Sequence, residues 1–125
     1  MSYDVSICID TGLGLAEVAD VGNMTANVGP MYRLAMPGHY GGGKYNGEGP
    51  DDPERRGLPA LSGLRCYHAA QVLRKGIREM ERREEEMIAL EPENGWGSYG
   101  GAVRFLVECA EACEMHPAAI FAVNW

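Results

Sequence analysis

"LRCYHAAQVLRKGIREM", residues 64–80, is the stretch whose reading decides how this chain folds. Cys66, Ala69, Ala70, Leu73, Ile77 and Met80 fall on one side of a 3.6-residue period, which predicts a helix with a single apolar stripe. Ser62 stands where an N-cap residue is expected. The continuation "REMERREEEMIAL" (78–90) mixes charges at three- and four-residue spacing, the mark of a solvated face, with a break expected near Arg83. A helix apolar on one side only must lie against a second layer. The apolar patterns toward both chain ends supply that layer.

Toward the C-terminus, Pro92 stops the charged segment and "ENGWGSYGG" (93–101) makes a glycine-rich turn. Ser98 then caps a second helix reaching about Met115, with a stripe of Tyr99, Ala102, Val103, Leu106, Cys109, Ala110 and Cys113. Pro117 ends it, and "AAIFAVNW" (118–125) reads as a closing strand. Toward the N-terminus, "YDVSICI" (3–9) alternates with Val5, Ile7 and Ile9 on one face, the period of a half-buried strand. "AEVADVG" (16–22) is a partner strand across "DTGLGL" (10–15). A short helix follows, capped by Asn27 or Gly29 with Pro30 in its first turn, apolar through Met31, Leu34 and Ala35, and ended by Pro37-Gly38. The expected fold class is α+β: one domain over residues 1–125. It has a small, mostly antiparallel sheet from both chain ends, two main helices on one face, and one short helix. Residues 38–57 form a mobile Gly/Pro-rich loop in this reading.

Composition narrows the function. The formal charge of −7 argues against duplex nucleic acid as a partner, because phosphate binding needs a basic surface. No apolar run reaches the roughly 18–20 residues that span a bilayer, and "MSYDVSICID" lacks the features of a secretory signal, so a cytoplasmic location is expected. The four cysteines show no CxxC pair and fit reduced thiols. Cys109, Cys113 and His116, with Cys66 from the facing helix, could be set around a zinc ion. Both helical cysteines lie in the apolar stripe, however, and are read as core, with no metal or cofactor expected. Nothing near any cysteine activates it as a nucleophile, so no catalytic residue is assigned.

Candidate binding groups remain. Arg33 can grip a phosphate or carboxylate bidentately, or pair with Asp4, Asp10 or Glu17. Tyr32 and Trp96 offer rings that stack on a base, although Trp96 can equally be a plug between the two helices. His39, Tyr40, Lys44 and Tyr45 are the useful groups if the long loop is a lid.

Three segments taken together, "NMTANVGPMYR" (23–33), "GLPALSGLRCYHAAQVLRKGI" (57–77) and "ENGWGSYGGAVRFLVECAEACEMHPAAIFAV" (93–123), resemble a group of small proteins of tailed bacteriophages and prophages. The Asn-Gly-Trp-Gly turn is the most specific part, and the loop at 38–50 is a departure. The resemblance implies a protein that opposes bacterial immunity. It also implies a polar ligand site at Asn23, Thr25, Asn27 and Arg33; Trp96 or Tyr32, from the aromatic reading above, would then stack on a base. The expected ligand is a small anion, a cyclic dinucleotide or cyclic ADP-ribose derivative, captured without catalysis by a homo-oligomer. An acidic protein-interaction inhibitor using 78–93 is the alternative, and a nucleotide hydrolase the third.

Overall fold

Alternation at the N-terminus gives a nine-residue strand, β1 (Ser2–Asp10), with Tyr3, Val5 and Ile7 buried on one face. The computed structural model describes residues 2–38, 40 and 56–125. β2 (Leu15–Thr25) returns antiparallel to β1 and is longer than its apolar alternation suggests. Irregularities between Val5 and Ser6 and between Ile7 and Cys8 shift the register, each leaving an extra residue on β2. β3 (Ile120–Asn124) pairs with the other side of β1, from Cys8↔Ile120 to Asp4↔Asn124. The sheet order is therefore β2-β1-β3, built from both chain ends.

The helical layer follows the stripes. After a 3-10 turn at Ala26–Val28, α1 (Gly29–Ala35) carries Pro30 in its first turn. Met31, Tyr32 and Ala35 are its buried residues; Tyr32 takes the inner place expected for Leu34, which is half-buried. α2 (Cys66–Arg82) buries the whole expected stripe, and Gly76 as well. It breaks at Arg83 (φ −113°, ψ 36°), and α3 (Glu84–Ile88) resumes with Met87 turned into the core. α4 (Tyr99–Met115) starts at Ser98, whose Oγ accepts from the Gly101 N–H at 3.0 Å. α4 buries Phe105 in place of Val103, and lies along α2 with both on the inner face of the sheet.

Ser62 is not the cap of α2. It sits 1% exposed after a 3-10 turn (Leu58–Leu61), and α2 begins four residues later behind Arg65, without a side-chain cap. Its hydroxyl accepts from the Val123 N–H at 2.9 Å and lies 3.3 Å from the Val123 carbonyl. Around it the Gly63 N–H donates to the Phe121 carbonyl (2.7 Å), and the Phe121 N–H to the Leu64 carbonyl (2.9 Å). Residues 62–66 thus cover the outer edge of β3, a place where main-chain groups need partners before a helix does. Among the described residues, no helix is long and apolar enough to cross a membrane.

Candidate functional site

The residues expected at a ligand site meet only in part. Asn23 lies on β2 and donates from Nδ2 to the Asp4 carboxylate at 2.5 Å. Two residues on, the Thr25 hydroxyl accepts from the Asn27 N–H at 3.3 Å and shapes the turn into α1. Asn27 reaches across to the glycine-rich turn, donating from Nδ2 to the Trp96 carbonyl at 3.2 Å. The Trp96 N–H is held by the Asn94 side chain at 2.9 Å. Gly97 (φ +121°) presses the same turn against Val28 and Thr25, with space for no side chain. The main chain of this corner is therefore fixed from both sides, while the Trp96 ring stands 71% exposed. It is not a plug between helices.

Tyr32 is the clearest correction. Its ring is fully buried beside Tyr3, and its hydroxyl donates to the Ala102 carbonyl at 2.9 Å. Burial and nearby Cys109 and Tyr3 push its phenol well above the ordinary range. A sealed ring offers no face to a base. Arg33 is half-buried, and its guanidinium lies back along α1 beside Gly29, where the Tyr3 hydroxyl also comes. None of Asn23, Thr25, Asn27, Tyr32, Arg33 or Trp96 lines either of the two clefts described next.

The larger cleft, about 670 Å³, opens between the end of α1 and the outward edge of α2. Leu34, Met36, Pro37 and Val72 give it an apolar lining, and Gly76 shapes the floor. A Cβ at Gly76 would stand 2.8 Å from Met36 Cγ and 3.0 Å from its sulfur, so the glycine is what lets α1 approach α2 here. Down one edge of α2 come His68, Gln71, Lys75 and Glu79, with Arg83 at the helix break. Arg83 is held by Glu86 (2.5 Å) and faces Glu79 at 3.8 Å. Glu79 also meets Arg82, whose guanidinium holds its carboxyl below the usual range. Lys75 stands exposed on the rim. Tyr40 lines the cleft, its hydroxyl accepting from the Gly38 N–H at 3.2 Å. His39, Lys44 and Tyr45, the other expected lid groups, lie outside the described residues.

Glu79 and Arg83 of this edge fall in the 78–90 segment expected to be a plain solvated face. The legible signal was Gly76: a glycine inside a strong helix pattern costs about 1 kcal/mol against alanine, and marks a close approach. A second cleft, about 480 Å³, lies on the other flank of α2 and is lined by Tyr67, Ala70, Arg74, Arg78 and Pro117.

The cysteines are core residues. Cys66, Cys109 and Cys113 are fully buried between α2 and α4, and burial pushes the Cys109 thiol up, away from reactivity. Among the described residues no group of three His, Cys, Asp or Glu side chains is placed to hold a metal. The larger cleft offers an apolar bed, one aromatic ring and the Lys75 cation beside the Glu79–Arg83 pair. Compared with protein-family models, curated proteins and solved structures, the chain matches none.

Proposed function

We propose that this chain captures a small nucleotide-like anion and holds it without chemistry, the phage-type anti-defence role that its sequence resemblance implies. One observation carries the reading. The α1–α2 cleft has the volume and the mixed lining of a small-molecule site, and such sites usually span about 300–1,000 Å³. A base would lie on the apolar bed near Tyr40, and phosphates would meet Lys75 and Arg83 at the rim. A cyclic dinucleotide or cyclic ADP-ribose derivative is the ligand class. The thiols lie in the core and do not line this cleft. The site thereby moves from the Asn27–Trp96 corner to α2.

The test mixes the purified chain with a lysate containing cyclic nucleotide signals, then identifies by mass spectrometry what denaturation releases. An intact nucleotide at near one per subunit, lost in Lys75→Glu, is expected. Release of nothing overturns the proposal. Capture that survives Lys75→Glu but fails in Arg33→Ala returns the site to α1, and a cleaved product makes the chain a hydrolase.

A second reading, an acidic inhibitor of a host or defence protein, is favoured by one feature. Trp96 projects from a fixed turn among Glu91 and Glu93, and aromatic anchors of this kind dominate protein interfaces. It predicts partner binding that weakens with salt and collapses in Trp96→Ala.

A further inference from the structure

The β1–β2 hairpin tip and the second cleft are two further surface features, and nothing in the nucleotide reading uses either. The hairpin tip is a closed, hydrogen-bonded turn. The Thr11 N–H donates to the Gly14 carbonyl at 2.9 Å, the Gly12 N–H to the Asp10 carboxylate at 2.8 Å, and the Leu13 N–H to the Thr11 hydroxyl at 3.3 Å. Gly12 (φ +84°) and Gly14 (φ +142°) supply the backbone angles the turn needs. The turn holds Leu13 100% exposed at its apex, with Ile9 and Val18 also exposed behind it. A fully exposed leucine on a fixed turn is an apolar knob, already ordered before it meets anything.

Charge says what would receive it. Residues 2–32 contain Asp4, Asp10, Glu17 and Asp20 and no lysine, arginine or histidine. The opposite sign is gathered elsewhere on the same chain. Along α2 and its break, Arg82 and Arg83 are paired with Glu79 and Glu86 and Lys75 faces the larger cleft, which leaves Arg74 and Arg78 as the cations of the second cleft. The 480 Å³ cleft is cut into this helix, between α2 and the end of α4. Its walls include Tyr67, Ala70 and Pro117, and its rim carries Arg74 and Arg78. Arg74 is bound through two nitrogens to Glu114 (2.6 and 3.2 Å), so this rim already holds one carboxylate. Arg78 is exposed and makes no ion pair among the described residues. Gln71 lines both this cleft and the larger one.

We propose that this chain self-associates by seating the acidic β1–β2 hairpin tip of one copy, with Leu13 as the knob, in the basic α2–α4 cleft of another. A second copy is favoured over a foreign partner because both complementary surfaces, apolar and charged, are on one chain. Knob and cleft are different surfaces, so the contact is head-to-tail. It closes into a dimer when two such contacts are reciprocal, and continues as a chain when they are not.

The test measures molecular mass against concentration for the full chain by sedimentation equilibrium. Wild type is expected to associate and to loosen at high salt, since the acidic and basic faces are exposed. Leu13→Asp and Arg78→Glu should each weaken association about tenfold or more, as loss of an anchor does. Both side chains are exposed, so circular-dichroism melting curves should match wild type. The decisive measurement mixes these two variants. Leu13→Asp keeps its cleft and Arg78→Glu keeps its knob, so the mixture should form a heterodimer that neither forms alone. Wild type that stays monomeric at several hundred micromolar, association unchanged by either substitution, or a mixture that behaves as its parts would each overturn the proposal. A monomer whose hairpin instead captures basic peptides would give the knob to another protein.

Discussion

Ser62→Ala tests whether a serine resembling a helix cap serves the edge of a strand. Removing the hydroxyl takes away the acceptor for the Val123 N–H at 2.9 Å and the contact with its carbonyl at 3.3 Å. Each ordinary hydrogen bond contributes about 1 kcal/mol net, and loss from a buried place raises the total to about 1–3 kcal/mol. The site is 1% exposed, so water cannot replace the hydroxyl without opening the edge. A chain of this length unfolds with an entropy near ~0.26 kcal/mol/K, so a loss of about 2 kcal/mol lowers the melting temperature by about 8 °C. Ser98→Ala is the comparison, because Ser98 is an exposed N-cap whose loss costs typically ~1 kcal/mol. Urea unfolding of both variants gives the free energies, and native-state hydrogen exchange gives the location. Exchange should rise at the Val123 amide in Ser62→Ala and at the Gly101 amide in Ser98→Ala. A Ser62→Ala protein within about 0.5 kcal/mol of wild type, or one whose loosened amides fall in the first turn of α2, would refute the strand-edge role.

Three further outcomes follow from other parts of the fold. Gly97→Ala should destabilise by about 1–3 kcal/mol in urea unfolding, since a Cβ there meets Val28 Cγ1 at 2.8 Å on a backbone at φ +121°. Trp96→Ala should leave stability within about 0.5 kcal/mol, because the ring is mostly in water, and a larger loss would mean that it packs. Tyr32 and Cys109 are both held protonated by burial, with folded pKa values above their unfolded ones. Their stabilisation is complete below the unfolded values, near 9.0 for the thiol and 10.0 for the phenol, and drains as pH rises beyond them. Stability should therefore fall between about pH 9 and 10 as the unfolded thiol ionises, and Cys109→Ala should flatten that part of the stability–pH curve in urea unfolding.

What the sequence disclosed was whatever local periodicity and caps determine. The stripe of α2, the break at Arg83, the Ser98 cap and the strands at both ends are each written in one short local segment. Ser62 and Ser98 look alike at that range. What separates them is the outer edge of β3, sixty residues away in the chain. Tyr32 was misplaced for the same reason. A tyrosine on a short helix suits a wet boundary or a core, and the deciding fact is a carbonyl at Ala102 that accepts its hydroxyl. The cleft was hidden because its two walls, Leu34–Gly38 and the outer edge of α2, belong to distant segments whose facing could not be read from either. Only Gly76 hinted at their approach.

The middle place of β1 has a consequence for how the molecule comes into being. On a ribosome, β1 and β2 emerge well before β3 and can zip together at once through a short turn. The other side of β1 waits until Ile120–Asn124 has been made. Throughout that interval Val5 and Ile7 sit beside an unpaired backbone edge, the kind of surface that attracts other nascent strands. Closure joins residues from nearly opposite ends of the chain, a long-range step that contact-order arguments make slow. Yield in a cell should therefore depend on how quickly synthesis finishes and on chaperone holding of the early hairpin, more than on the final stability of the fold.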